Sequence, residues 1–158
     1  MVHQEPNKPE SSTDSGNALF FARSMQGHVY FNHAINRWLI YEHGRWKIDN
    51  TVRIKEIGMN IATMRQADVK RIENHDERKK AFSKAVDLEN NTRIVAMLEL
   101  AKSDRRIADD GKHWDIHPYQ LGVPNGVIDL RNGLLFPSKP DYRITMEAAA
   151  EFDEAAEA

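Results

Sequence analysis

The spacing of apolar residues changes along this chain, and that change limits the folds it can adopt. In residues 28–48, aromatic and branched side chains show the period of two that is typical of β-strands. From Thr51 to about Arg106, apolar residues recur every three or four positions, as on one face of a helix. Beyond Trp114 the strand-like pattern returns. The sequence therefore predicts an α+β fold.

The N-terminal part of this pattern predicts a helix followed by a small antiparallel sheet. The helix begins near Asn17, with Asp14 or Ser15 as its cap, and Gly27 can end it. Strands are expected at residues 28–31, 37–41 and 45–48, with a turn at residues 42–44. Their aromatic and branched side chains should lie on common faces of a hairpin: Trp38, Ile40, Trp46 and Ile48.

Three apolar stripes follow, and each predicts a helix with one buried face. The first comprises Ile54, Ile57, Ile61 and Met64, the second Phe82, Ala85, Val86 and Glu89, and the third Ile94, Met97, Leu98 and Ala101. Asn91 or Thr92 can cap the third helix. Residues 65–78 between the first two stripes are polar and give no clear structural signal. These helices are expected to pack on each other or on the sheet.

The C-terminal part predicts a β-hairpin and an acidic tail. Residues 121–126 are rich in turn formers, and residues 127–130 and 134–136 flank an Arg131-Asn132-Gly133 turn. We therefore predict a flexible lead-in over residues 1–13, one α+β domain over residues 14–146, and an acidic tail or linker over residues 147–158. That domain is a helical cluster with a small N-terminal antiparallel sheet and a C-terminal β-hairpin.

Composition excludes several classes of protein. The 158 residues include 22 basic and 24 acidic side chains, so net charge gives no argument for nucleic-acid binding. Because cysteine is absent, disulfides and thiolate zinc sites are excluded. No apolar run approaches the roughly 20 residues that cross a bilayer, and the first residues do not form a secretory signal. We expect a cytoplasmic protein with no membrane partner.

Motifs for nucleotide chemistry are missing from the sequence. A phosphate-binding loop needs closely spaced glycines and a lysine at a helix start, and no Gly-x-x-x-x-Gly-Lys-Ser/Thr occurs. The Gly-x-Gly-x-x-Gly motif is absent as well. No spacing of serine, histidine and carboxylate indicates a catalytic triad. We expect no catalytic residue and no cofactor in this chain.

One acidic segment has the residue types of a metal site. It contains Asp109, Asp110, His113, Asp115 and His117. His113 and His117 have the spacing of two ligands on one helical turn. A metal-dependent nuclease could use Asp109, Asp110 and His113. However, Gly111 and Pro118 interrupt the segment, so a polar connection anchored by Trp114 is the favoured interpretation and no metal ligand is predicted. Asp129 is interpreted as a solvent-facing strand residue beside the hairpin turn.

Basic residues cluster in the helical region and suggest a nucleic-acid contact. The predicted contacts are Arg65, Lys70, Arg71, Lys79, Lys80 and Lys84, with Arg78 nearby. Such a surface would attract a phosphate backbone with salt-dependent affinity. The alternative is a solvated helix face with Asp76, Glu77 and Asp87 in local ion pairs. Aromatic residues could also stack on bases, although a small sheet needs them for its core: Tyr30, Trp38, Tyr41 and Trp46.

Several segments in order, over roughly residues 13–153, carry a resemblance to a known family. They lie at residues 13–18, 36–41, 44–46, 94–104 and 121–133. The most distinctive is Val123-Pro124-Asn125-Gly126 followed by Asp129-Leu130-Arg131-Asn132-Gly133. The succession resembles the region that precedes the superfamily-three helicase in phage- and plasmid-type primase–helicases, which is also found in the poxvirus primase–helicase. Met146-Glu147 departs from the basic residue that relatives often have there.

The resemblance implies a non-catalytic accessory domain that positions or docks the helicase motor during DNA replication. It implies that the chain is a fragment ending before the motor, and that the motor would supply ATP and Mg²⁺ sites and form a homo-oligomeric ring. Trp114 or Phe136 could pack against such a partner. The alternatives are an independent nucleic-acid-binding module, with DNA as partner, and a metal-dependent nuclease.

Overall fold

A computed structural model describes residues 11–155. The predicted lead-in, residues 1–13, lies outside the described residues except for its last three, as do the final residues of the tail. Within the described range the elements run α1 (Asp14–Met25), β1 (Val29–Asn32), β2 (Arg37–Glu42), β3 (Arg45–Ile48), α2 (Ile54–Val69), α3 (His75–Asp87), α4 (Asn91–Ala101), β4 (Ala108–Asp109), β5 (Gln120–Val123), β6 (Gly126–Asp129) and β7 (Leu134–Phe136). The predicted α+β class is confirmed.

The described residues form two compact units. Unit 1 contains residues 11–26 and Asn50–Ala108, and therefore the helices α1 to α4. Unit 2 contains Gly27–Asp49 and residues 109–155, and therefore all the strands apart from the first residue of β4. No helix in this range is both long and apolar enough to span a membrane.

In unit 1, α1 packs mainly on α4, and α2 packs on both α3 and α4. The third predicted stripe is confirmed, because Ile94, Met97, Leu98 and Ala101 are all buried in α4. Gly58 brings α2 close to α4, since a Cβ atom there would lie 2.8 Å from Cγ2 of Ile94. Small side chains therefore set the distance between these helices.

The helix caps differ from the predicted ones by a few residues. In α1 the cap is Thr13, whose hydroxyl accepts a hydrogen bond from the Gly16 amide, and the helix starts earlier than Asn17. In α4 the cap is Asn90, whose side-chain oxygen accepts from the Thr92 amide. In each helix a side-chain oxygen accepts a hydrogen bond from an unpaired backbone amide, as predicted. The capping residue, however, lies before the predicted ones.

The first two predicted stripes are partly wrong. Met64 and Phe82 are exposed, and Val86 is 42 % exposed. The side chain of Arg65, next to Met64, is buried in its place. The helix α2 continues to Val69 and so includes the first residues of the stretch for which the sequence predicted no structure. In α3 the small side chain of Ala85 is buried instead of the larger apolar ones on either side.

The sheet at the start of unit 2 has the strand order β3-β2-β1-β4. Tyr30 pairs with Leu39, which pairs with Ile48, so these three side chains share one face. Trp46 lies opposite Tyr41 and is on that same face, whereas Trp38 and Ile40 are on the other. The predicted turn between β2 and β3 is tight, with positive φ at His43 and Gly44.

The C-terminal hairpin is part of a larger antiparallel sheet with the order β5-β6-β7. The hairpin of β6 and β7 is confirmed, with Asp129 opposite Leu134. The residues predicted only as turn-rich, 121–126, include most of the strand β5, which pairs Val123 with Gly126 around a Pro124-Asn125 turn. The sequence did not predict this strand because it is short and contains a glycine.

The acidic segment after β7 is joined to unit 2 as far as Phe152. Glu147 forms an ion pair with Arg45, and the Ala148 amide donates to the Gly122 carbonyl over 2.8 Å. The side chain of Asn125 both donates to the Phe152 carbonyl and accepts from its amide, at 2.8 and 3.0 Å. This part of the predicted tail is therefore bonded to the sheet.

Candidate nucleic-acid interface

The helix α3 carries three of the predicted basic contacts. Lys79, Lys80 and Lys84 are all exposed on it. Lys80 and Lys84 are one turn apart and share a side of the helix. The helix is held in place at its start by Asn74, whose side-chain oxygen accepts from the amides of Asp76 and Glu77. This arrangement presents three ammonium groups to solvent on one helix.

Acidic residues reduce the positive charge of this surface. Asp76 and Glu77 lie in the first turn of α3, where carboxylates are favoured by the helix dipole. A cleft of about 390 Å³ beside Lys84 is lined by charges of both signs, namely Lys84 and Arg93 with Asp14 and Asp87. Arg93 is already paired with Asp14 at 3.0 Å. The cleft is therefore not a strongly cationic pocket.

Arg65 cannot belong to a DNA contact surface, and the prediction for this residue is wrong. Its side chain is fully buried inside unit 1. Nη1 donates to Asp68 over 2.8 Å, and Nε donates to Oδ1 of Asn17 over 3.4 Å. The guanidinium also lies 5.2 Å from the centre of the Phe20 ring. A buried charge needs such partners, so Arg65 links α1 to α2.

The remaining predicted contacts follow the end of α2. Lys70 is exposed, and the Arg71 side chain is 73 % exposed with Nη1 3.6 Å from Asp68. Nearby Arg78 serves a structural purpose, because its Nη1 donates to the Ile72 carbonyl over 2.9 Å. Five of the six predicted contacts are thus exposed cations, and all five lie in unit 1.

The acidic segment of unit 2 uses its carboxylates for structure. Asp109 is buried, and its Oδ1 accepts from Nε1 of Trp114 and from the Gly111 amide, both at 2.8 Å. Its other oxygen accepts from Arg143. Asp115 accepts from the Thr145 amide over 2.8 Å. No three metal-binding side chains converge anywhere in residues 11–155.

The aromatic side chains of the first sheet form its core. Trp46 is buried, and its ring lies 5.1 Å from Tyr30 and 5.2 Å from Trp114. Its Nε1 donates to the Pro140 carbonyl over 2.8 Å. Burial raises the pKa of the Tyr41 phenol. Trp114 packs against this cluster, in agreement with the interpretation of residues 109–117 as a polar connection anchored by Trp114. Its contacts in the described residues are therefore within unit 2.

A second cluster in unit 2 was not predicted. Gln120, Val127, Asp129, Phe136 and Tyr142 line a cavity of about 170 Å³ on the second sheet. The Asp129 carboxylate accepts hydrogen bonds from the Arg131 side chain, which lower the pKa of that carboxyl to about 2. Strand pairing and a 3-10 turn bring these residues together, and no local motif marks them.

Comparison with known proteins gives one informative result. No curated protein matches the chain. A family model described as "D5 N terminal like" matches residues 18–158, which includes both units and most of the chain. That family is the N-terminal region of D5-like primase–helicase proteins. The chain therefore belongs to the D5 N-terminal-like family of primase–helicases.

Proposed function

We propose that this chain is a non-catalytic accessory region that positions a superfamily-three helicase motor during DNA replication. The observation that carries the proposal is the family match over residues 18–158. In this proposal ATP and Mg²⁺ belong to the motor, which assembles as a ring of identical subunits. The accessory region contributes binding surfaces and no chemistry of its own.

The helix α3 supports the proposal because it leaves apolar side chains exposed. Among its 13 residues only Ala85 is buried. Phe82 and Val86 are 37 % and 42 % exposed and are four residues apart, so they lie together on one side of the helix. Side chains at this spacing are typical anchors when a helix packs into a partner's groove. We propose that this pair contacts the motor.

The experiment is a calorimetric binding titration between the chain and the helicase domain of a D5-like primase–helicase. We expect Phe82→Ser with Val86→Ser to weaken binding by at least about tenfold, which corresponds to about 1.4 kcal/mol of binding free energy. Leu100→Ser is the matched control, because Leu100 is an exposed apolar residue on α4 of the same unit. Absence of binding by the unmodified chain, or equal effects of both variants, would contradict the proposal.

DNA binding through the basic surface is the second candidate. It is favoured by the exposure of Lys70, Arg71, Lys79, Lys80 and Lys84. A titration with single-stranded and forked DNA tests it, with micromolar binding that weakens steeply with salt as the expected result. Lys79→Glu with Lys80→Glu should weaken that binding, whereas Lys47→Glu in unit 2 should not. If no binding above background is detected, the docking role is the only one of the two candidates that remains.

The nuclease alternative has no support from the geometry. The carboxylates that it would need, Asp109 and Asp110, already accept hydrogen bonds from Trp114 and Lys112. A carboxylate held in this way has fewer free lone pairs for a metal ion. We do not propose it further.

A further inference from the structure

The cavity on the second sheet of unit 2 has the size and walls of a site for one aromatic ring. Gln120 pairs with Asp129, and Val127 pairs with Phe136, so the strands place all four on one face. Tyr142 completes the wall from a 3-10 turn at Pro140–Tyr142. Its volume is about 170 Å³. A cavity of about 150 Å³ is known to hold benzene, so a single ring fits.

One polar atom in this wall lacks a partner. The side-chain oxygen Oε1 of Gln120 is buried and has no hydrogen-bond partner in the described part of the chain. A buried carbonyl without a donor destabilises the folded state. Rotation of the Gln120 side chain toward the cavity would let an N–H group of a ligand bond to this oxygen and remove that cost. The site therefore selects for a hydrogen-bond donor.

The carboxylate in the wall adds an acceptor without leaving a free charge. Oδ1 of Asp129 accepts from Nε of Arg131 over 2.9 Å, and Oδ2 accepts from Nη2 over 2.6 Å. This bidentate pair is electrically neutral as a whole, so the cavity does not specifically attract ions. The Arg131 guanidinium also lies 5.6 Å from the centre of the Tyr119 ring. A neutral ring with an amino group suits these walls better than a phosphate or an ammonium.

The rim carries groups that suit a nucleic-acid strand. Phe136 is 41 % exposed and lines the cavity, where its ring can stack on a base. Lys139 is exposed just before the 3-10 turn. Its ammonium group can attract a phosphate next to a bound base. A stacking surface and a cation thus occur together at the cavity.

We propose that this cavity binds a cytosine base of single-stranded nucleic acid. Cytosine is a single ring whose N4 amine is a donor, whereas thymine has a carbonyl at the equivalent position. Gln120 and Asp129 accept from the amine, and Phe136 and Tyr142 enclose the ring. This site lies in unit 2 and does not depend on the docking role of α3.

The test is fluorescence anisotropy with short single-stranded oligonucleotides of cytidine or of thymidine, at low salt and with the full chain. We expect tighter binding of the cytidine strand. Gln120→Leu should abolish that preference, and Phe136→Ala should weaken binding of both strands by at least about fivefold. Leu134→Ala is the matched control, because Leu134 is exposed on the same strand and does not line the cavity. It should have no effect.

Three results would overturn the proposal. One is equal affinity for the two strands, and another is an unchanged preference in Gln120→Leu. The third is the absence of oligonucleotide binding. If Phe136→Ala then weakened association with the helicase domain, the cavity would be assigned to protein docking. Thermal melting of each variant shows that a loss of binding does not reflect a loss of folding.

Discussion

Arg65 donates a hydrogen bond to Asn17, a residue 48 positions earlier in the chain, and this bond joins α2 to α1. Arg65 and Asn17 are both buried. The basic residue that the sequence placed on a DNA-binding surface therefore belongs to the interior of unit 1, where it also pairs with Asp68.

We predict that Arg65→Ala destabilises the folded chain by about 3 kcal/mol, because it leaves Asp68 and Asn17 without a buried partner. Urea unfolding measures the change. Arg71→Ala is the control: its side chain is 73 % exposed and 3.6 Å from the same aspartate, so its effect should be below about 1 kcal/mol. If Arg65→Ala lost DNA binding without any change in stability, the burial of Arg65 would be contradicted.

Gly58 gives a second prediction about unit 1. Alanine has a higher helix propensity by about 1 kcal/mol, but its Cβ would lie 2.8 Å from Cγ2 of Ile94. Overpacking of a core costs roughly 1–3 kcal/mol. Because this cost exceeds the gain in helix propensity, we expect Gly58→Ala to destabilise the folded chain by about 1 kcal/mol. Combination with Ile94→Leu, which removes Cγ2, should recover part of the loss in a double-mutant cycle. Stabilisation by Gly58→Ala alone would show that α2 and α4 are not in close contact.

Asp109 provides the corresponding test in unit 2. Asp109→Ala removes the acceptor for Trp114 and Gly111 and leaves Arg143 without its carboxylate partner. We expect a loss of about 3 kcal/mol and a shift in tryptophan fluorescence. Asp110→Ala is the control, because Asp110 is exposed and pairs with Lys112 on the surface. Manganese-dependent DNA cleavage that disappears in Asp109→Ala would instead support a metal site.

The Asp129–Arg131 pair predicts a dependence of stability on pH. Hydrogen bonds from the Arg131 side chain lower the pKa of the Asp129 carboxyl from 3.8 to about 2 in the folded chain. As the pH falls through this range, unfolded molecules bind a proton before folded ones do, so the stabilisation by this pair is lost. Asp129→Asn should therefore lower the urea midpoint at neutral pH but not near pH 2.

The control for this prediction is Asp153→Asn, which removes an exposed carboxylate of the terminal segment. Its effect on the midpoint should be small at every pH. A difference between the unmodified chain and Asp129→Asn that stays constant from neutral to acid pH would contradict the assignment of the lowered pKa to Asp129.

Local patterns predicted the elements better than they predicted burial. The stripe of α4 was right because all its members are apolar and helical spacing alone puts them on one face. The second stripe failed because the largest apolar side chains of α3, Phe82 and Val86, are exposed while Ala85 is buried. Close packing favoured a small residue there, and the sequence around it contains no sign of that contact.

The sites were harder to predict than the elements because their parts are distant in the sequence. Arg65 looked like its exposed basic neighbours until its partner Asn17 was known. Tyr142 reaches the cavity of Gln120 from beyond the next two strands. Charge and hydropathy within a short window carry no information on such pairings, so burial of a cation or convergence on a cavity follows only from the tertiary structure.

The most direct test of the proposal that this chain positions a helicase motor is unwinding of a forked DNA duplex by the helicase domain of a D5-like primase–helicase. We predict that adding the chain increases the unwinding rate by about fivefold or more, which corresponds to a coupling free energy of at least about 1 kcal/mol, and that Phe82→Ser with Val86→Ser removes the increase. The chain alone should hydrolyse no ATP. Unwinding that is the same with and without the chain, or ATP hydrolysis by the chain itself, would contradict the account.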